Sequence, residues 1–202
     1  METDESKWPY LSQVENTELF EQMPVALWAE DFSALKEIFD GLREQGVTDL
    51  QAHLQAFPDC LKACARSIKI LKVNRRALDM LSMKDIEQLI ENLPVVMRDE
   101  VLPAYANELL QLWQGQSTFS TKSINYTLDG RRIDVMVNGV ILTAHRHDWS
   151  RVIVAIEDIT SEQEAHRSLL KSEAYARSLF NDSAFMHHRN EVSDLSHKAE
   201  IM

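Results

Sequence analysis

Four groups of residues have types and spacings that chemistry could use. His145-Arg146-His147-Asp148 sets two imidazoles on alternate residues with a carboxylate beside them. On an extended segment alternate side chains share a direction, so His145, His147 and Asp148 could hold a Zn²⁺ or Ni²⁺ ion, although a solvated turn explains the same residues. Cys60 and Cys64 lie four apart on one helical face and read as small packing residues in a reducing compartment. Trp28, Trp113, Tyr126 and Trp149 could line a pocket for a flat ring, but aromatics at strand and helix spacing more often build core. Asp129 and Asp134 are candidate bases, a role that calls for a deep site and a raised pKa; Asp129 falls in a turn and Asp134 points opposite to Ile133 and Val135. No catalytic constellation stands out: five glycines leave no phosphate-cradling loop, and neither His-Glu-x-x-His nor Gly-x-Ser-x-Gly occurs.

The elements that must position these groups are clearest between Ser117 and Thr160. Thr118 to Leu128 is rich in β-branched and aromatic residues, and Ile124 to Leu128 alternates apolar with polar, as a half-buried strand does. Asp129-Gly130 tolerates positive φ and suits a hairpin turn, after which Arg131 to Leu142 alternates again through Ile133, Val135, Val137 and Ile141. A polar loop over 143–148 leads to a third strand, Trp149 to Glu157, so the segment reads as a meander. Upstream, Asn16 or Thr17 caps a helix through Gln22, and Val25 to Phe32 reads as a strand. Three amphipathic helices follow over 33–66, the first capped by Ser33 and carrying Leu35, Ile38, Phe39 and Leu42 on one face. Ser67 to Asn74 is a strand, and Ala104 to Gln114 a helix that presents Tyr105, Leu109, Leu112 and Trp113.

Charge and apolar runs narrow the partners. The net charge is −11 with no Lys/Arg stripe, so nucleic acid and anionic membrane are poor partners. No apolar run reaches the length of a membrane span and the acidic start is no signal peptide, which places the chain in the cytoplasm. The expected organisation is a flexible arm over 1–15, a domain over 16–160, a helix over 161–181 and a disordered tail over 182–202. Along the helix Ala165, Leu169, Ser172, Ala176 and Leu179 recur at steps of four and three, a heptad seam suited to a parallel two-helix stalk.

Two short motifs carry a family resemblance. Val73-Asn74-Arg75-Arg76-Ala77, between strand and helix, and Asp158-Ile159-Thr160, between a meander and an outgoing helix, resemble the corresponding junctions of PAS/PAC sensor modules over roughly Leu19 to Phe180. The resemblance implies an α+β fold with a five-stranded antiparallel sheet, flanking helices and a C-terminal signalling helix. The helices over 33–66, between the first two strands, depart from the family pattern. It further implies a ligand pocket drawn from Trp28, Leu109, Trp113, Tyr126, Val135 and Val154, a relay at Asp158 and Thr160, and a structural cap at Asn74. A non-enzymatic sensor of this kind would form a homodimer through its N- and C-terminal helices. It would address an output domain or a partner protein, as in two-component or cyclic-di-GMP signalling.

Haem in such modules is usually held by a His in the helical segment before the meander, and residues 84–113 contain none. A photochemical flavin–thiol adduct needs a Cys in the same segment, and none follows Cys64. Non-covalent flavin or a small metabolite stays open. The alternatives are a ligand-free dimerisation scaffold and a cone-shaped α+β enzyme similar to ketosteroid isomerases, with Asp134 or Asp129 as base.

Overall fold

The structure, a computed structural model, describes residues 13–175 and 177. The expected tail and the seam positions Ala176 and Leu179 lie outside the described residues, as does the expected arm apart from its last residues. The chain divides into a unit over 1–159 and a second unit from Thr160 onward.

The first unit is built on a five-stranded antiparallel sheet: β1 (Ala26–Asp31), β2 (Lys69–Val73), β3 (Thr118–Tyr126), β4 (Arg132–Ile141) and β5 (Val152–Asp158), in the order β2-β1-β5-β4-β3. Strand alternation sends one set of side chains inward. Paired across the inner face are Trp28, Val154, Gly139 and Phe119, and in the next row Ala26, Ile156, Val137 and Thr121. Gly139 is small for a reason of space: a Cβ there would lie 2.0 Å from Cζ of Phe119, whose ring occupies the gap and stacks on Phe32 at 6.1 Å. The β3–β4 turn spans 127–131. The Thr127 N–H donates to Arg131 O at 2.9 Å, and Gly130 takes the left-handed φ of 85° that a side chain would resist.

Helices cover this face and its edge. α1 (Gln13–Gln22) begins ahead of Asn16 and Thr17, so neither is its cap. Between β1 and β2 run α2 (Ser33–Glu44), α3 (Leu50–Ala56) and α4 (Pro58–Ser67). Ser33 does not cap α2; instead its N–H donates to Asp31 Oδ1 at 2.9 Å. Leu35, Phe39 and Leu42 of α2 are buried in the main core, and α3 and α4 pack against α8 (Leu102–Trp113). After β2 come α5 (Arg75–Leu81), α6 (Ile86–Glu91) and α7 (Leu93–Val96).

Asn74 knits three of these elements together. Its Oδ1 accepts from the N–H groups of Leu27 and Ala77, each at 3.0 Å, capping α5, while Nδ2 donates to Phe20 O at 3.2 Å and Val25 O at 2.9 Å. The third meander strand starts at Val152 rather than Trp149. Trp149 takes a φ of 56°, and its carbonyl accepts from Phe32 N–H at 2.9 Å while its ring meets Phe39 edge-on.

The second unit is described as a helix, α9, over 160–175. Among the described residues, no helix is long and apolar enough to cross a membrane.

Candidate functional site

Two periodicities converge on one cavity. In β1, Trp28 and Glu30 are two apart and face inward; in α8, Tyr105, Glu108, Leu109 and Leu112 follow at the steps of three and four that form one helical face. Between the inner face of the sheet and α8 these side chains enclose about 40 Å³. The lining is Trp28, Glu30, Phe32, Met97, Val101, Tyr105, Glu108, Phe119, Ser123, Asn125, Val137, Val154 and Ile156.

The polar groups of this cavity are unusual. Glu30 and Glu108 are each 8% exposed. Burial lifts the Glu30 carboxyl from 4.5 to about 8, and burial together with the Glu30 charge lifts Glu108 to about 8 as well. Both are therefore largely protonated at neutral pH. Burial, then the charges of Glu30, Glu108 and Cys64, pushes the Tyr105 phenol well above its usual range. Trp28, 1% exposed, has an indole Nε1–H with no hydrogen-bond partner. A buried donor left unpaired costs about 1–3 kcal/mol, so an occupant that accepts from it would be favoured. No Lys, Arg or His stands in the lining. The space suits one to a few water molecules, or a solute of similar size.

Of the six pocket candidates, Trp28 and Val154 line this cavity. Leu109 and Val135 are fully buried core beside it. Trp113 lies elsewhere: it packs edge-on against Phe39 at 5.2 Å, carries Arg43 over its ring at 4.4 Å and donates from Nε1 to Thr48 O at 3.4 Å. Tyr126 sits under the Arg98 guanidinium and donates its hydroxyl to Glu100. The aromatic lining expected for a flavin thus shrinks to Trp28 alone. The enclosed volume is far below the roughly 300 Å³ at which ligand pockets begin, so these residues do not fit a flavin.

The remaining candidates resolve by geometry. His145 and His147 do not share an extended segment, because 143–145 is a turn of 3-10 helix and the chain keeps turning through 148. His145 Nδ1 lies 2.8 Å from Ser150 Oγ, Asp148 lies 3.8 Å from His145 and 3.5 Å from His147, and no set of three metal-ligating residues exists among the described residues. Asp148 has its pKa lowered, first by the Ser150 backbone bond. Asp129 accepts from the Thr127 hydroxyl, which lowers its pKa, the reverse of what a buried base needs; Asp134 pairs with Arg132 at 2.8 Å. Cys64 is buried with its thiol pushed up to about 12, first by burial, so it is no thiolate nucleophile. Asp158 ends β5 and lines a solvent-open groove of about 680 Å³ with Pro24, Arg76, Asp79 and Arg131, while Thr160 begins α9.

Glu30 and Glu108 were within reach of sequence reasoning. Ala26, Trp28, Glu30 and Phe32 are one alternating series, and Glu108 falls inside the Tyr105–Leu112 stripe. An acid on each buried face was the signal.

No protein-family model matches the chain, and no curated protein matches it in sequence. Solved structures do match in shape. An RNA-binding light-oxygen-voltage receptor superposes with a TM-score of 0.55 at 12% identity, over 86% of this chain and 40% of the receptor. The chain has a PAS fold. The PAS domain of a protein from Colwellia psychrerythraea aligns over 73% of this chain and 97% of its own, with a TM-score of 0.48 and 9% identity. A light-oxygen-voltage protein from Rhodobacter sphaeroides aligns over 70% and 63%, with a TM-score of 0.47 and 15% identity. In this chain the sheet is accompanied by the helices α2 to α4 between β1 and β2 and by the paired acids Glu30 and Glu108 facing the cavity.

Proposed function

We propose that this PAS chain is a non-enzymatic sensory and dimerisation module that binds a small ligand or partner and relays the event through its C-terminal helix. The observation that carries the reading is the inner cavity, where two buried acids, a phenol and an unpartnered indole N–H face a shared space. Core designed only for packing avoids such groups, since each costs stability unless something satisfies it.

Relay would run through Asp158 and Thr160, where β5, which supplies Val154 and Ile156 to the cavity, gives way to α9. A ligand that favours one of two sheet arrangements shifts the helix only by its differential affinity for them. Leu169 of the expected seam is 57% exposed, which supports pairing with a second copy to form a homodimer. An output domain or partner signalling protein would receive the signal in the cytoplasm. The RNA named for the light receptor is not extended to this chain, whose net charge of −11 opposes a phosphate backbone.

A second reading, a ligand-free dimerisation scaffold, is favoured by the small cavity volume of about 40 Å³. Native mass spectrometry of freshly purified chain, with an absorbance scan, separates the two. A dimer with added mass supports a ligand module, a dimer with none supports the scaffold, and a monomer removes the stalk. If Asp158→Ala and Thr160→Ala leave ligand-dependent hydrogen exchange in α9 unchanged, the junction is not the relay.

A further inference from the structure

The cavity states what its occupant must offer. Glu30 from β1 and Glu108 from α8 present carboxyl groups with no cationic side chain in the lining, and Trp28 presents a donor without an acceptor. An occupant with a cationic hydrogen-bond donor would stabilise the ionised form of the acids, and with one acceptor it would satisfy the indole. A volume of about 40 Å³ limits it to roughly three or four non-hydrogen atoms, at 10–15 Å³ for each water-sized site. Apolar walls from Phe32, Val101, Phe119 and Val154 would cover a short carbon chain between the two polar ends.

We propose that this cavity binds a small primary ammonium ion carrying a neighbouring hydroxyl, the chemistry of a two-carbon amino alcohol. The inference deepens the small-ligand reading above and rests on it. The ammonium would donate to Glu30 and Glu108, and the hydroxyl would accept from Trp28 Nε1 and donate to Asn125 or Ser123. The three ammonium protons can be shared between the two carboxyls, and the hydroxyl supplies the acceptor that Trp28 Nε1 lacks. Water can meet the hydrogen bonds of the neutral acids, whereas an ammonium ion also stabilises their ionised form. The net charge of −11 also favours encounter with a cation.

Protonation gives this site a signature. The acids are mostly neutral when the cavity is empty at neutral pH, so capture of an ammonium displaces a proton and tightens as pH rises toward 8. The other ionisable groups near the pair are Tyr105 on α8 and Cys64 on α4. Arg98 is committed to the Tyr126 ring at 3.9 Å, and Glu100 to the Tyr126 hydroxyl.

The test uses the full chain and ethanolamine, by isothermal titration at pH 8 and pH 6, with ethylammonium, propanol and acetate as comparison solutes. The expected result is saturable single-site binding of ethanolamine that weakens up to about tenfold per pH unit on acidification, one proton being released. Ethylammonium should bind more weakly, and propanol and acetate not at all. Glu30→Gln and Glu108→Gln, which keep shape, should each weaken ethanolamine at least tenfold. Trp28→Phe should erase the preference of ethanolamine over ethylammonium while leaving ethylammonium binding in place, a result that simple misfolding would not produce. No heat of binding from a folded wild-type chain overturns the proposal, and so does binding that the Gln variants or pH leave unchanged. If ethanolamine fails but native mass spectrometry finds another small mass that Glu108→Gln loses, the ammonium falls and the ligand module stands; if neither binds, both fall.

Discussion

Replacing Glu30 by Gln should make the protein more stable, and the gain should grow with pH. The carboxyl has a folded-state pKa of about 8 against an ordinary 4.5, because burial penalises its charged form. Below about pH 4.5 it is neutral in both states and costs nothing through charge. Between 4.5 and 8 the unfolded chain loses the proton while the folded chain keeps it, so stability falls across that window; above 8 the loss is complete. At 1.36 kcal/mol per pH unit the loss is about 3 kcal/mol at pH 7 and about 4 kcal/mol at pH 8, a large part of a total of about 5–15 kcal/mol. Gln is neutral throughout and escapes it. Urea unfolding of wild type and Glu30→Gln at pH 5 and pH 8 measures the difference. The curves should nearly coincide at pH 5 and differ by about 1–2 M in midpoint at pH 8, for slopes of about 2–3 kcal/mol per molar. A midpoint difference independent of pH would refute the reasoning, since it would place the effect in packing rather than proton linkage. Because the Glu30 charge contributes to the raised pKa of Glu108, the double Gln variant should gain less than the sum of the singles.

Two further substitutions probe the frame around the cavity. Gly139→Ala should cost about 1–3 kcal/mol, as its Cβ would displace the Phe119 ring, and Phe119→Leu in the same chain should return part of the loss; thermal melts of the three variants decide it. Asn74→Ala should cost about 2–4 kcal/mol, since it strips the N–H groups of Leu27 and Ala77 and the carbonyls of Phe20 and Val25 of their buried partner; hydrogen exchange at Leu27 and Ala77 should rise with the fall in urea midpoint.

The strands and helices were legible because their signals are local. Alternation through Ile133, Val135 and Val137, and the helical stripe Tyr105, Leu109, Leu112, act over a few residues and persist in the fold. The misplacements came from contacts made at long range. Trp113 follows Leu112 and turns off the inward face toward Phe39 and Arg43, some seventy positions earlier in the chain, so nothing nearby in sequence marks its destination. Trp149 has the apolar, aromatic character of a strand residue, yet the Phe32 N–H to Trp149 carbonyl bond and the ring contact with Phe39 hold it in a left-handed corner. His145 and His147 alternate in sequence but sit in a turn, which removes their shared direction. The acids were overlooked for a different reason. Judging each face by its apolar members passes over Glu30 and Glu108, whose positions were as legible as those of Trp28 and Leu109.

The helices α3 and α4 bear on α8, the helix that walls the cavity. α8, which carries Tyr105 and Glu108, has the sheet on one side and α3 and α4 on the other. At its C-terminal end Trp113 is gripped by Phe39 edge-on, by Arg43 above its ring and through its Nε1–H by Thr48 O. Arg43 also donates to the Trp113 carbonyl at 3.1 Å. A larger ligand would need α8 to move away from the sheet, a movement that would strain the Trp113 contacts at its C-terminal end. Close-packed interiors resist such shifts, because gaps as small as half an ångström already forfeit much of the dispersion attraction. The packing of α8 on the sheet sets Glu30 and Glu108 close enough for the charge of Glu30 to raise the pKa of Glu108.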